Sequence, residues 1–151
     1  MDILFICIGN INRSRAAEAI INSLNIPNIH AFSRGLLPSN DGKPMSKEML
    51  ECLSPEEKKY VSGKAEDLTS ADLEKADMVI IMDYYVKSLL EIRFYQGRWE
   101  NKLYFYTQFF KNTEPYIPIK DPYHTKDYLQ TYNDLKSYLP YLLQAVESSK
   151  C

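Results

Sequence analysis

Four short apolar runs alternate along the chain with segments in which apolar residues recur every three or four positions. We interpret the runs as buried β-strands, at residues 3–6, 29–33, 78–82 and 103–106. The recurrent segments predict helices, at residues 14–24, 47–53, 69–75, 83–95 and about 125–147. This alternation predicts an α/β fold in which helices cover both faces of a parallel sheet. We therefore expect one three-layer α/β/α domain over residues 1–151, built on a four-stranded parallel sheet.

Two of the predicted helices contain a residue that affects the interpretation. In the first, Ile20 and Ile21 lie on one apolar face, and we interpret Glu18 as a negative charge near the helix start, where the helix dipole favours it. In the last, Pro140 interrupts the pattern. Because proline has no N–H and its ring clashes with the preceding turn, we expect it to kink the helix or split it.

The composition is that of an ordinary globular chain. Hydrophobic residues make up 45% and charged residues 25%, so disorder is not expected. The 18 basic and 20 acidic residues give a net charge of -2, which gives no reason to expect nucleic-acid binding. Any anion site must therefore be formed by a local group of residues. No apolar run reaches membrane-spanning length, and the N-terminus lacks the basic flank of a signal peptide.

The chain contains three cysteines, Cys7, Cys52 and Cys151. Their number is odd and their spacing matches neither a disulfide framework nor a zinc site. This usage favours a reducing, cytoplasmic location, and we expect no metal and no cofactor.

One segment between the first strand and the first helix carries chemistry. It reads Cys7-Ile8-Gly9-Asn10-Ile11-Asn12-Arg13-Ser14. A cysteine and an arginine five residues apart can close a loop around a tetrahedral dianion, with the backbone N–H groups of residues 8–13 pointing inward. The positive end of the following helix favours an anion at the same place. We therefore expect a phosphate or other oxyanion to bind in this loop.

The side chains of the loop fit that function. Arg13 offers a planar fork that can hold two phosphate oxygens, and the positive potential favours the thiolate form of Cys7. Ser14 can donate a hydrogen bond to that sulfur. Gly9 permits close backbone approach, and Asn10 can adopt a left-handed conformation. No P-loop lysine follows, so nucleoside triphosphate binding is not supported.

These residues resemble the low-molecular-weight protein tyrosine phosphatases, whose signature is a cysteine, any residue, then Gly-Asn-Ile-Cys-Arg-Ser near the N-terminus. A second family motif, an Asp-Pro pair followed by an aromatic residue, is matched by Asp121-Pro122-Tyr123. Residues 33–35 and 76–83 also resemble family segments. The resemblance therefore covers essentially the whole chain.

The resemblance implies a metal-independent hydrolysis of phosphotyrosine in protein substrates through a phosphocysteine intermediate. It makes Cys7 the nucleophile, Arg13 the phosphate-binding residue and Asp121 the general acid and base. The residues that it assigns to substrate binding are Ile8, Gly9, Asn10, Ile11, Asn12, Ser14 and Tyr123. It also suggests that the loop at residues 34–44 forms a rim of the cleft.

Three positions depart from the family pattern. Asn12 replaces the second cysteine of the loop, which in many members pairs with the oxidised nucleophile. We therefore expect peroxide to take Cys7 past sulfenic acid more readily than in those members, unless Cys52 or Cys151 forms a disulfide with it. His124 replaces an aromatic residue that many members carry, and Arg15 replaces a common proline.

Other functions are open from the sequence. A protein-arginine phosphatase is one, although that branch typically has threonine where this chain has Ile11. A thiol-dependent arsenate reductase is less favoured, because it requires two further cysteines near mid-chain and residues 60–110 contain none. A non-catalytic phosphate-binding module would have lost the cysteine, the arginine or the acid, and all three are present. A broad acid phosphatase remains open, since specificity lies in the rim loops.

Overall fold

The computed structural model describes residues 1–95 and 97–149, and these form a four-stranded parallel sheet flanked by helices. The strands are β1 (Asp2–Ile6), β2 (His30–Arg34), β3 (Met78–Ile81) and β4 (Leu103–Phe105). The α-helices are α1 (Arg13–Ser23), α2 (Lys47–Cys52), α3 (Pro55–Lys58), α4 (Ser70–Lys75), α5 (Tyr84–Arg93), α6 (Pro122–Thr125) and α7 (Tyr128–Ser149). Short 3₁₀ turns occur at Pro38–Asn40 and Trp99–Lys102.

The sheet has the strand order β2-β1-β3-β4, and every pairing is parallel. Successive residues of β1 point to opposite faces, and each face has its own core. Ile3 and Phe5 pack with α1, α2 and α7, whereas Leu4 and Ile6 pack with α4 and α5. This confirms the three-layer α/β/α fold.

The strand order determines where a ligand site can form. β1 is the first strand of the chain, and its two neighbours in the sheet, β2 and β3, lie on opposite sides of it. Consecutive connections therefore diverge at the carboxyl end of β1, and such a switch point leaves a crevice in an open parallel sheet. The loop that contains Cys7 follows β1 directly and lies at this crevice.

The predicted elements are all present, with small shifts at their ends, but the sequence missed α3 and α6 and began the last helix a few residues before Tyr128. The short helix α3 begins at Pro55, which we read only as the end of the preceding helix; Ser54 caps it in a capping box with Glu57. α6 and α7 are separated by Lys126, which has a left-handed conformation with φ of 61°.

Pro140 lies inside one continuous helix, so the expected split of the last helix was wrong. Four apolar residues before and after the proline are buried against the sheet, namely Leu135, Leu139, Leu142 and Val146. Burial of each such side chain contributes about 1.5–3 kcal/mol. Together they outweigh the cost of about 3 kcal/mol that a proline brings to a helix interior. Within the described ranges, no helix is both long and apolar enough to cross a membrane.

Candidate active site

The Cys7 sulfur is buried at the base of the loop that joins β1 to α1, and two groups of the same loop contact it. The Oγ of Ser14 lies 3.0 Å from the sulfur, and the backbone N–H of Asn10 donates to it at 3.2 Å. Both groups can stabilise negative charge on sulfur. The loop therefore places two potential hydrogen-bond donors around the sulfur.

The Asn10 side chain determines the direction of the Ser14 hydrogen bond. Its Oδ1 accepts from the backbone N–H of Glu66 at 2.8 Å, so its Nδ2 donates to the Oγ atoms of Ser14 and Ser33 at 2.8 and 3.0 Å. Since the Ser14 oxygen accepts from Asn10, its own hydrogen is free to point at Cys7. Asn10 is only 1% exposed and has φ of 52°, the left-handed conformation expected from the sequence.

Glu18 continues this buried chain of hydrogen bonds. Ser33 Oγ donates to Glu18 Oε1 at 2.9 Å. Burial raises the pKa of Glu18 to about 7, against the opposing effects of the Ser33 hydrogen bond and the charges of Arg15 and Arg34. Our interpretation of Glu18 as a first-turn charge was wrong, because α1 begins at Arg13 and has no acidic residue in its first turn. The residue lies one turn further on, where its side chain faces β2.

Arg13 is buried and reaches across the crevice to residues that follow β3. Its NH1 donates to Asp83 Oδ2 at 2.6 Å and to the carbonyl of Ile119 at 2.8 Å, and its NH2 lies 3.5 Å from Asp121 Oδ2. Burial by itself lowers the pKa of Arg13, but the negative groups of Cys7, Asp83 and Asp121 outweigh it and raise that pKa. The guanidinium is therefore permanently charged and held at a fixed orientation.

Asp121 comes from a segment more than 100 residues away in sequence, and the sheet holds that segment in place. The backbone N–H of Ile119 donates to the carbonyl of Met82, just after β3, at 2.9 Å. Asp121 also caps α6: its Oδ1 accepts from the backbone N–H of Tyr123 at 3.0 Å, while Oδ2 faces Arg13. One carboxylate oxygen thus caps α6 and the other pairs with Arg13, in a residue that lines the cavity described below.

A cavity of about 480 Å³ opens above the loop and brings most of the expected site residues together. Its lining comprises Cys7, Ile8, Gly9, Ile11, Asn12, Arg13, Leu37, Asn40, Lys43, Ser46, Asp121, Tyr123, His124 and Tyr128. The two expected substrate-binding residues outside this lining are Asn10 and Ser14, whose side chains lie behind the loop. Tyr123 is 70% exposed at the mouth, with His124 edge-on to its ring.

The loop at residues 34–44 does form one wall of the cavity, as the resemblance suggested. Leu37 lines the cavity, whereas Leu36 is buried in the core. Asn12 joins the catalytic loop, residues 7–14, to the segment just after this wall, because its Oδ1 accepts from the Ser46 hydroxyl at 2.6 Å. The sequence identified Asn12 as the position of a missing cysteine and, through the resemblance, as a substrate-binding residue. Its contact with Ser46 becomes visible only when the two segments are placed side by side.

Arg15 has a structural role that the sequence did not indicate. Its side chain is almost fully buried, and it donates to the Ser62 hydroxyl at 3.1 Å, to the Ser62 carbonyl, and to the Lys43 carbonyl at 3.3 Å. Burial lowers the pKa of Arg15, partly offset by the charges of Glu18, Cys7 and Glu66. The residue thereby fastens two loops behind the catalytic loop.

Cys7 and Cys52 are free thiols, and Cys151 lies outside the described residues. For residues 1–95 and 97–149, no group of three or more His, Cys, Asp or Glu side chains is arranged to hold a metal ion. The site as described therefore brings a thiol, a guanidinium and a carboxyl group together around one cavity.

Comparison with known proteins gives consistent matches over the whole chain. A family model described as low molecular weight phosphotyrosine protein phosphatase matches residues 2–150. The chain is 33% identical over 141 residues to the low molecular weight protein-tyrosine-phosphatase PtpB of Staphylococcus aureus, covering 92% of this chain and 94% of that protein. It is 28% identical over 155 residues to the protein-arginine-phosphatase of Bacillus subtilis strain 168, covering 99% of each.

A solved structure gives a similar result for the fold. It is a cysteine-to-serine mutant of the YwlE arginine phosphatase with a phosphorylated active-site serine. It matches with a TM-score of 0.82 and 26% identity, covering 97% of this chain and 96% of that one.

Proposed function

Because the chain belongs to the low molecular weight phosphotyrosine protein phosphatase family, we propose that it hydrolyses phosphotyrosine in proteins through a phosphocysteine intermediate on Cys7. The observation that carries this proposal is that Cys7 and Arg13 of the loop after β1 and Asp121 of a distant segment line one cavity. In this proposal residues 1–151 form one phosphatase domain.

In the first chemical step, the Cys7 thiolate attacks phosphorus, so that a sulfur–phosphorus bond forms while the bond to the phenol oxygen breaks. The guanidinium of Arg13 and the loop N–H groups bind the equatorial oxygens and stabilise their charge. Asp121, protonated in this step, gives its proton to the departing phenol oxygen. Oδ2 of Asp121 is the oxygen assigned to this transfer, because Oδ1 accepts the hydrogen bond that caps α6.

In the second step, water displaces the sulfur from phosphorus. Asp121, now a carboxylate, takes a proton from the water, and inorganic phosphate is released. The sulfur leaves as a thiolate, which the Ser14 hydroxyl and the Asn10 N–H stabilise by hydrogen bonds. The phosphorylated serine in the related arginine phosphatase supports a covalent intermediate at the corresponding position.

The walls of the cavity support an aryl phosphate as the substrate. Leu37, Ile11, Tyr123 and Tyr128 all contribute to the lining, and a phenyl ring can pack against such side chains. Ile11 adds no hydrogen-bonding group. We therefore favour phosphotyrosine.

A protein-arginine phosphatase is the second candidate, because one of the relatives carries that name. The guanidino group of phosphoarginine is polar, and the apolar side chain of Ile11 gives it no hydrogen-bond partner. Replacement of Ile11 by threonine should raise the ratio of phosphoarginine to phosphotyrosine turnover. A wild-type protein that hydrolyses phosphoarginine peptides far faster than phosphotyrosine peptides would establish the second candidate instead.

The most direct test of the reaction class uses p-nitrophenyl phosphate and a phosphotyrosine peptide. We expect the wild-type protein to hydrolyse both without added metal, with competitive inhibition by inorganic phosphate. Cys7→Ser should abolish turnover, and Asp121→Ala should lower it by about 10²–10⁴-fold. Hydrolysis that persists in Cys7→Ser would show that the reaction does not use this cysteine.

The proposed location is the cytoplasm, since free thiols at Cys7 and Cys52 suit a reducing compartment. Fractionation of cells that express the tagged chain tests this, and recovery with the membrane or secreted fraction would contradict it.

A further inference from the structure

Lys43 is the second cationic side chain of the cavity lining, besides Arg13. It belongs to the wall at residues 34–44 and not to the catalytic loop, and its side chain is exposed. A cation at this place can contact the part of a substrate that remains outside the phosphate-binding loop.

The position of Lys43 is fixed by its main chain. The carbonyl of Lys43 accepts from the backbone N–H of Ala65 at 2.7 Å and from Arg15 NH1 at 3.3 Å. The neighbouring Gly42 N–H donates to the Ala65 carbonyl at 2.8 Å. These bonds connect the residue to the buried guanidinium behind the catalytic loop.

The side chain is tied to the catalytic loop as well. The ammonium of Lys43 donates to Asn40 Oδ1 at 3.0 Å, and Asn40 Nδ2 donates to the carbonyl of Gly9 at 3.2 Å. The hydrogen bonds thus run from the phosphate-binding loop through one amide to the ammonium. The Lys43 side chain therefore loses less conformational freedom when it contacts a substrate than a free surface lysine does, and the contact costs less entropy.

The charge of Lys43 is not neutralised by a carboxylate within the described part of the chain. Lysines that form ion pairs there are Lys47, Lys59, Lys87 and Lys136. Arg13, in contrast, faces both Asp83 and Asp121. Of the two Lys and Arg side chains that line the cavity, the one whose charge no carboxylate pairs within the described residues is therefore Lys43, and the complementary group is a carboxylate.

We propose that Lys43 is a specificity-determining residue that selects phosphotyrosine sites with a glutamate or aspartate within a few residues of the phosphorylated side chain. This inference rests on the proposed function. The phosphate is bound by the loop and Arg13, and Lys43 binds the flanking acidic side chain. The ion pair is solvent-exposed, so its contribution is modest: about 1.5- to 5-fold in kcat/KM.

The test uses phosphotyrosine peptides that differ at one position. Glutamate, glutamine or lysine is placed at each of the three positions before and after phosphotyrosine in an otherwise neutral peptide. The kcat/KM ratio of the Glu peptide to the Gln peptide is measured for wild type, Lys43→Met and Lys43→Glu. Because each ratio is taken within one variant, any general loss of activity cancels.

Lys47→Met is the matched control. Lys47 lies four residues along, at the start of α2, with 85% of its side chain exposed, and it is outside the cavity lining. We expect the wild type and Lys47→Met to prefer Glu over Gln by the same factor at one or more positions. Lys43→Met should bring that ratio to one, and Lys43→Glu should make the lysine peptide preferred. The wild-type preference should fall as salt is raised, since salt screens exposed charges.

Two results would overturn the inference. The first is a wild-type ratio near one at every position while the peptides are hydrolysed, which leaves the phosphatase function intact. The second is a preference for Glu that is unchanged in Lys43→Met, which would assign the selection to another residue. If the wild type hydrolyses none of the peptides, the proposed function fails, and the inference falls with it.

Discussion

Gly35 provides a sharp test of how closely the catalytic loop is packed. It follows β2 and lies directly against the loop after β1. A Cβ atom added at Gly35 would lie 2.8 Å from Asn10 Cβ, 2.9 Å from Asn10 N and 3.0 Å from Gly9 C. Carbon atoms pack at about 3.5–4.0 Å, so the methyl group of alanine would overlap the backbone of two residues of the loop.

The Gly35→Ala change should therefore act on catalysis rather than on the core. Overpacking of this kind costs about 1–3 kcal/mol. If the loop shifts to relieve it, the amide N–H groups and the Cys7 sulfur move away from their positions. A loss of the same size in transition-state stabilisation lowers kcat by about 5- to 150-fold. We expect kcat for p-nitrophenyl phosphate to fall within that range.

Gly63→Ala is the matched control, because a Cβ atom there meets nothing within 4 Å. We expect this variant to keep wild-type kcat, with a change in thermal midpoint of no more than a few degrees. Urea unfolding of both variants separates a lower stability from a displaced loop. A Gly35→Ala protein with wild-type kcat and stability would refute the close packing of Gly35 against Asn10.

Three further predictions concern the buried network and the nucleophile. Glu18 has a folded pKa of about 7, above the unfolded value of about 4.3, so its stabilising effect is complete at low pH and is lost as pH rises through 7. The free energy of unfolding in urea is measured at pH 6 and at pH 8 for wild type and Glu18→Gln. Its decrease between the two pH values should be about 1 kcal/mol smaller in Glu18→Gln than in wild type. An equal decrease in both would contradict this. Ser14→Ala removes a hydrogen bond to the departing thiolate, so hydrolysis of the phosphocysteine should slow by about 10- to 100-fold. The first turnover should then appear as a burst of p-nitrophenol. Turnover at the wild-type rate without a burst would argue against this role of Ser14. Peroxide should convert Cys7 irreversibly to sulfinic and sulfonic acids, whereas in Asn12→Cys the inactivation should be reversible by thiols. Mass spectrometry of the Cys7 peptide measures both products. A Cys7–Cys52 disulfide in the wild-type protein would contradict the expectation.

The parts of the fold that the sequence predicted well are those with a strong local pattern. The four strands were short apolar runs, and α1, α5 and α7 had clear helical periodicity. The break between α6 and α7 was missed, because it depends on the left-handed Lys126, a residue type with no preference for that conformation. The last helix is not split at Pro140, because burial of its apolar neighbours, a tertiary effect, outweighs local propensity.

The site shows the same division. Cys7, Arg13 and Asp121 could be identified because two short motifs define them. The contacts that place Asp121 beside the other two could not be read from the sequence, since they depend on the Ile119 N–H donating to the Met82 carbonyl just after β3. The cavity wall at Asn40 and Lys43 and the buried contacts of Arg15 and Glu18 join segments that are far apart in sequence. No local pattern indicates such contacts.

The central claim is that Cys7 forms a covalent bond to phosphorus and that Asp121 acts on both steps. Rapid-quench mass spectrometry of Asp121→Asn with p-nitrophenyl phosphate tests it most directly. p-Nitrophenolate leaves without a general acid, whereas attack by water still requires the base, so the phosphorylated enzyme should accumulate. We predict that the phosphate maps to Cys7 in nearly every molecule. Phosphate on another residue, or full turnover with no phosphorylated enzyme, would contradict the mechanism.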